Sequence, residues 1–159
     1  MSSLSSYLPP SEGLLPKWLL FIAIVSIGNS IQCYISLDGS RAVYTGTDNN
    51  KKKPSPKKTS PNPKPSESTS SSPVNALSAR TFGTWTALSS IVRMYAAYNI
   101  NNPQVYEICL WTYGIAFAHF FSEWLVFGSA RWGKGLGSPV AVSTVTTVWM
   151  LSQWGYYVR

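Results

Sequence analysis

Two membrane-length apolar stretches in the second half of the chain carry ionisable residues inside them. Arg80 and Arg93 lie in the first of these stretches, and His119 and Glu123 lie in the second. A charged side chain is costly in hydrocarbon, so a segment that keeps one has to supply a partner, water or a function for it. These four residues therefore limit how the two stretches can fold against each other.

The composition indicates a membrane protein. Charged residues make up 12% of the 159-residue chain, whereas soluble domains usually carry about 25%. Aromatic residues make up 14% of the chain, and the mean hydropathy is near zero only because a Lys/Ser/Pro tract offsets strongly apolar segments.

Four apolar stretches are long enough to cross a hydrocarbon core of about 30 Å as helices. They cover, in approximate numbers, residues 18–37, 76–98, 105–127 and 139–157. We therefore predict an all-α, multi-pass membrane protein with four transmembrane helices in an antiparallel bundle. An N-terminal tail of residues 1–16 precedes this single membrane domain, which covers residues 17–159. Pro139 suits the first turn of the last helix.

The segment 45–75 between the first two predicted helices has the composition of a disordered loop, because its Lys, Pro and Ser residues bury too little apolar surface to fold. It is strongly basic, and the lysines predicted to contact anionic lipid or an acidic partner are Lys51, Lys52, Lys53, Lys57 and Lys58. Basic residues favour the cytosolic side of a membrane. We expect the basic loops to be cytosolic and both termini to be lumenal.

The short turn at residues 99–104 makes the second and third predicted helices antiparallel neighbours, in which residues at equal depth have numbers that add up to about 203. Arg80 then lies at the same depth as Glu123. Arg93 and Glu107 differ in depth by about 4.5 Å along the helix axis. The sequence thus predicts two ion pairs that fix the register of the hairpin. Snorkelling of the two arginines to the headgroups is the alternative. His119 shares a helix face with Glu123 and is a candidate for contact with a partner or lipid.

The sequence offers little that resembles catalytic machinery. It holds a single histidine and two cysteines, Cys33 and Cys109, which are too few nitrogen and sulfur ligands for a metal site. The glycines after Arg131 follow a membrane helix and not a strand, so a dinucleotide-binding loop is not expected there. We predict no catalytic, cofactor-binding or metal-binding residue. From the residues alone, a small transporter or proton-coupled carrier that uses His119, Glu123 and Arg80 is the alternative function.

Four runs of the chain hold unusual polar positions in a distinctive order and spacing: residues 79–86, 89–98, 111–113 and 119–123. Together they resemble the ergosterol biosynthetic protein 28 family. The resemblance covers residues 15 to about 44 and 76–157, and it leaves out the Lys/Pro/Ser tract.

This resemblance implies a small multi-pass protein of the endoplasmic reticulum membrane that acts in ergosterol biosynthesis as a scaffold and not as an enzyme. The implied partners are a sterol C-4 methyl oxidase, a 3β-hydroxysteroid dehydrogenase/C-4 decarboxylase and a 3-keto-sterol reductase. A sterol-modifying enzyme is a third hypothesis, which would require turnover by the isolated chain.

Overall fold

The computed structural model describes residues 7–46 and 72–158, and these fold entirely into helices and connecting turns. The helices are α1 (Leu15–Ile35), α2 (Asp38–Val43), α3 (Ala76–Tyr98), α4 (Pro103–Leu125) and α5 (Lys134–Tyr157). The predicted all-α class is confirmed. The predicted loop lysines and most of the segment 45–75 lie outside the described residues.

Local sequence signals explain where the helices begin. Asn75 and Ser78 form a capping box at the start of α3, in which each side chain bonds the backbone N–H of the other. Asn102 caps α4, whose first residue is Pro103. These signals account for the match between α3 and the predicted helix 76–98, and for the start of α4 slightly before the predicted residue 105.

Two elements differ from the prediction. The short helix α2 follows α1 directly, in a stretch where Asp38-Gly39 indicates a helix end. Helix α5 begins at Lys134, so Pro139 lies inside it and not at its first turn. The reason is packing: a side chain on Gly135 would collide with the carbonyl oxygen of Ala42 at the end of α2. The glycines after Arg131 thus let the first turn of α5 lie against α2.

Helices α1 and α3 pack antiparallel and very closely. Ser30 Oγ donates a hydrogen bond of 2.7 Å to the carbonyl oxygen of Gly83. At the other end of the pair, Leu19 and Ile22 share one buried cluster with Ala96 and Ala97. Small residues on α3 permit this approach.

Helices α3 and α4 are antiparallel neighbours in the predicted register. Phe82 packs against Phe120, Trp85 packs against His119, and Arg93 donates a hydrogen bond to Thr112. Each pair has residue numbers close to the predicted sum of about 203. The hairpin register is confirmed.

Helix α5 closes the bundle against α4 and α1. Tyr106 Oη on α4 donates a hydrogen bond of 2.6 Å to the carbonyl oxygen of Met150. The indole N–H of Trp18 on α1 donates a hydrogen bond of 2.9 Å to Thr146 Oγ1. The four long helices therefore enclose a common core.

Large apolar side chains also cover the outside of all four long helices. Exposed examples are Phe21, Ile24, Ile31, Leu88, Ile91, Ile108, Trp111, Ile115, Val145, Val148 and Leu151. By length and apolar composition, α1 is the one helix among the described residues that qualifies as a membrane span. The four-span arrangement stays a prediction.

Candidate functional site

One end of the bundle gathers a cluster of aromatic and polar side chains around His119. Tyr44 Oη and His119 Nε2 share a hydrogen bond of 2.7 Å. The rings of Trp85 and Phe120 both meet His119 edge-on, with ring centroids 5.2 Å and 5.3 Å from that of His119. His119 is thus held by its neighbours in one orientation.

Tyr44 follows the short helix α2, and its ring lies between Phe82 of α3 and His119 of α4. The backbone around it is tied on two sides. Ser72 Oγ donates a hydrogen bond of 2.6 Å to the carbonyl oxygen of Tyr44, and Gly46 N–H donates one of 2.9 Å to the carbonyl oxygen of Ser129. No sequence signal points to Tyr44, which follows the first predicted span in a stretch that has no periodic pattern.

A cavity of about 690 Å³, which we call the His119 cavity, opens beside this cluster. Its size falls within the range of about 300–1,000 Å³ that small-molecule sites usually have. Its walls come from α3, from α4 and from the segments on either side of residues 47–71. The lining residues are Ser40, Tyr44, Pro73, Val74, Asn75, Leu77, Ser78, Ala79, Thr81, Phe82, Trp85, His119, Glu123 and Ser129.

Glu123 is the acidic residue of the His119 cavity. Its carboxylate accepts a hydrogen bond from Ser129 Oγ. Burial raises the pKa of the Tyr44 phenol above its ordinary value, and the negative charge of Glu123 raises it further. Tyr44 therefore keeps its proton at neutral pH and remains a hydrogen-bond donor.

Arg93 lies in the middle of the bundle, with only 7% of its surface exposed. Its Nε donates a hydrogen bond of 3.3 Å to Thr112 Oγ1, and one Nη donates one of 3.2 Å to Ser26 Oγ. The guanidinium carbon lies 4.1 Å from the centroid of the Tyr113 ring. Arg93 is thus buried among neutral partners.

The remaining residues of the predicted ion pairs lie at the surface. Arg80 is exposed on α3, and Glu107 is exposed on α4. The hydrogen bonds described above join Arg93 to Ser26 and Thr112, and they join Glu123 to Ser129. The pairing of Arg80 with Glu123 and of Arg93 with Glu107 stays a prediction.

Clusters of three or more His, Cys, Asp or Glu side chains that could hold a metal ion are absent from the described part of the chain. The two thiols, Cys33 and Cys109, are buried and not joined to each other. The notable chemical features of the described bundle are therefore the His119 cluster and the buried Arg93.

Comparison with known proteins gives the family. Residues 15–148 match a family model described as "Erg28 like protein". Ergosterol biosynthetic protein 28 of Candida albicans is 45% identical over 155 residues, which cover 97% of this chain and 96% of that protein. The protein of the same name from Saccharomyces cerevisiae is 44% identical over 147 residues, covering 92% and 84%.

A human relative, "Ergosterol biosynthetic protein 28 homolog", is 34% identical over 139 residues, which cover 87% of this chain and 83% of that protein. No solved structure matches the chain. The family match covers α1 to most of α5, and thus both the His119 cluster and Arg93. The chain belongs to the ergosterol biosynthetic protein 28 family.

Proposed function

We propose that this chain is a non-catalytic membrane scaffold of ergosterol biosynthesis. In this proposal it tethers three enzymes of sterol C-4 demethylation: the C-4 methyl oxidase, the 3β-hydroxysteroid dehydrogenase/C-4 decarboxylase and the 3-keto-sterol reductase. The names of the relatives support the pathway. The observation that carries the proposal is the apolar outer surface of all four long helices.

That outer surface fits a protein surrounded by lipid and by other membrane helices. Soluble monomers rarely expose contiguous apolar patches of more than a few hundred Å². Here α1, α3, α4 and α5 each present large exposed aliphatic or aromatic side chains. Four helices of 21 to 24 residues are long enough to span a bilayer.

The Ser and Thr residues of α3 and α5 lower the apolar character of these two helices, but many of their hydroxyls are satisfied inside the helix. Thr81, Thr84 and Thr86 each donate a hydrogen bond to the carbonyl oxygen four residues earlier. Thr144 and Thr147 do the same on α5. A hydroxyl bonded in this way costs less to place in hydrocarbon, which supports four spans.

We place the chain in the endoplasmic reticulum membrane, with its basic loops in the cytosol and both termini in the lumen. The charge bias of the sequence supports this orientation. The scaffold would work by raising the effective concentration of each enzyme near the product of the preceding one. The lysines of residues 51–58 would add contact with anionic lipid or an acidic partner.

Photo-crosslinking from defined helix faces tests the scaffold. A photoreactive phenylalanine analogue replaces Trp111 or Ile91, which point outward, and replaces the fully buried Met150 as a matched control. Membranes that contain the three enzymes are irradiated, and the adducts are identified by mass spectrometry. We expect adducts with at least one C-4 demethylation enzyme from the outward positions and none from Met150.

Affinity purification of the full chain from the same membranes gives the second measurement. The scaffold proposal requires that at least one of the three enzymes co-purifies with the chain. It is overturned if neither co-purification nor an outward crosslink recovers any of them. Sterol turnover by the purified chain alone would replace the scaffold with an enzyme.

A further inference from the structure

We propose that the centre of the bundle is a binding site for a carboxylate carried by an apolar molecule. The site is a cavity of about 250 Å³ between α1, α3, α4 and α5, which we call the Arg93 cavity. This inference is independent of the scaffold proposal, because the two residues that carry it, Arg93 and Tyr113, are buried between the helices.

The positive charge of Arg93 is the first observation. Arg93 lines the cavity and is more than nine-tenths buried. A guanidinium has five N–H donors, and the hydrogen bonds to Thr112 and Ser26 use two of them. Both partners are neutral hydroxyls, so they satisfy donors without balancing the charge. A buried charge that has no counter-charge is costly.

The hydroxyl of Tyr113 is the second observation. Tyr113 also lines the Arg93 cavity, and its side chain is fully buried. Its Oη is the one fully buried side-chain nitrogen or oxygen of the described residues that has no hydrogen-bond partner. An unpartnered buried polar group is costly and calls for an explanation such as a bound molecule. The cation of Arg93 lies directly over the ring of this same tyrosine.

An anionic acceptor would balance the charge of Arg93, and a small shift of the surrounding side chains would let the same acceptor pair with Tyr113 Oη. A carboxylate only accepts hydrogen bonds and has about four acceptor positions, so it can take donors from both a guanidinium and a phenol. Water could accept the same hydrogen bonds, but it would leave the charge unbalanced. The chemistry of the two side chains therefore favours an anion over water.

The rest of the cavity lining indicates what carries the anion. Ile22, Val25, Phe120 and Val142 contribute apolar surface. Hydroxyls and an amide complete the lining, from Ser26, Asn29, Thr86, Ser89, Ser138 and Ser143. A free inorganic ion would leave the apolar walls without contacts, whereas the hydrocarbon part of an organic acid would pack against them. The volume suits a carboxylate with one ring or a short chain inside the bundle.

Binding to the purified full chain in detergent tests the proposal. The probe is cyclohexanecarboxylate, and the matched control is cyclohexylmethanol, which has the same ring and no charge. We expect saturable binding of the carboxylate by isothermal titration calorimetry, and binding of the alcohol that is weaker by about tenfold or more. Equal binding of the two probes, or no carboxylate binding, would overturn the proposal. Inorganic phosphate that binds as tightly as the carboxylate would also overturn it.

Two variants assign the binding to this cavity. Arg93→Met keeps a long side chain and removes the charge, so it should abolish measurable carboxylate binding. Tyr113→Phe keeps the ring and removes only the orphan hydroxyl, so it should weaken binding about tenfold. The matched controls are Arg41→Met and Tyr95→Phe, at exposed positions outside the cavity lining.

Stability measurements keep the test decisive if a variant folds poorly. The carboxylate should raise the thermal unfolding midpoint of the parent chain and of both control variants, because a ligand that binds only the folded state stabilises it. It should leave the midpoint of Arg93→Met unchanged. An equal rise in Arg93→Met would show that the carboxylate binds elsewhere and would sink the assignment.

Discussion

Ser30 on α1 donates a 2.7 Å hydrogen bond to the backbone carbonyl of Gly83 on α3, so a side chain of one helix touches the main chain of the other. The close approach around this contact depends on the absence of a side chain at Gly83. A Cβ at Gly83 would lie 2.9 Å from Cys33 Cβ and 3.1 Å from the carbonyl oxygen of Ser30. A side chain at this position would therefore push α1 and α3 apart.

The first prediction is that Gly83→Ala destabilises the bundle. Overpacking usually costs about 1–3 kcal/mol, and this cost opposes a helix-propensity gain of roughly 1 kcal/mol for the change from Gly to Ala. We expect a lower thermal unfolding midpoint in detergent. Gly114→Ala on α4 is the matched control, because a Cβ there meets nothing within 4 Å. Equal midpoints for the two variants would contradict the close packing of α1 on α3.

The second prediction separates two glycines of the segment that follows Arg131. A Cβ at Gly135 would collide with the carbonyl oxygen of Ala42, whereas a Cβ at Gly137 meets nothing within 4 Å. Gly135→Ala should therefore displace α2 and lower stability by about 1–3 kcal/mol, and Gly137→Ala should be neutral or slightly stabilising. Thermal unfolding of the two variants measures the difference. Equal stability of the two variants, or a less stable Gly137→Ala, would contradict the close approach of α5 to Ala42.

The depth at which residues of α3 and α4 meet could be predicted from the sequence, because a short turn between antiparallel helices leaves little freedom along their axes. The pairs Trp85 with His119 and Phe82 with Phe120 follow from that argument. Depth does not define which face of a helix a side chain occupies. For this reason the neutral partners of Arg93, one of which lies on α1, could not be predicted.

Tyr44, the member of the His119 cluster that lies outside α3 and α4, could not be predicted from the sequence either. Tyr44 follows a six-residue helix whose sequence, Asp-Gly-Ser-Arg-Ala-Val, has no apolar periodicity. Helix α2 depends on tertiary contacts, which include the approach of its last carbonyls to Gly135. Local sequence therefore predicts the long helices and misses the segment that completes the site.

The third prediction concerns the hydrogen bond between Tyr44 and His119. Tyr44→Phe keeps the ring contacts with Phe82 and His119 but removes the hydroxyl. The half-buried imidazole nitrogen then loses this partner, so we expect a loss of about 1 kcal/mol in stability. Tyr95→Phe, at an exposed position on α3, should change stability by less than about 0.5 kcal/mol. Chemical denaturation measures the stability of both variants. Equal denaturation midpoints would show that the Tyr44 hydroxyl does not stabilise the fold.

The fourth prediction concerns the contact of α5 with α1. Trp18 on α1 donates its indole N–H to Thr146 Oγ1, and Thr146 is fully buried. Trp18→Phe removes this donor and leaves a gap beside Trp149, whose ring centroid lies 6.3 Å from that of Trp18. The lost hydrogen bond alone should cost about 1 kcal/mol, and the smaller ring adds to that loss.

Trp111→Phe on α4 is the matched control, because Trp111 is 63% exposed and should tolerate the change. Thermal unfolding of both variants in the same detergent gives the comparison. A second variant, Thr146→Val, removes the acceptor and keeps the volume, so it should reproduce the hydrogen-bond part of the Trp18→Phe effect. If Thr146→Val and Trp111→Phe are both as stable as the parent chain, the hydrogen bond does not stabilise the contact of α5 with α1.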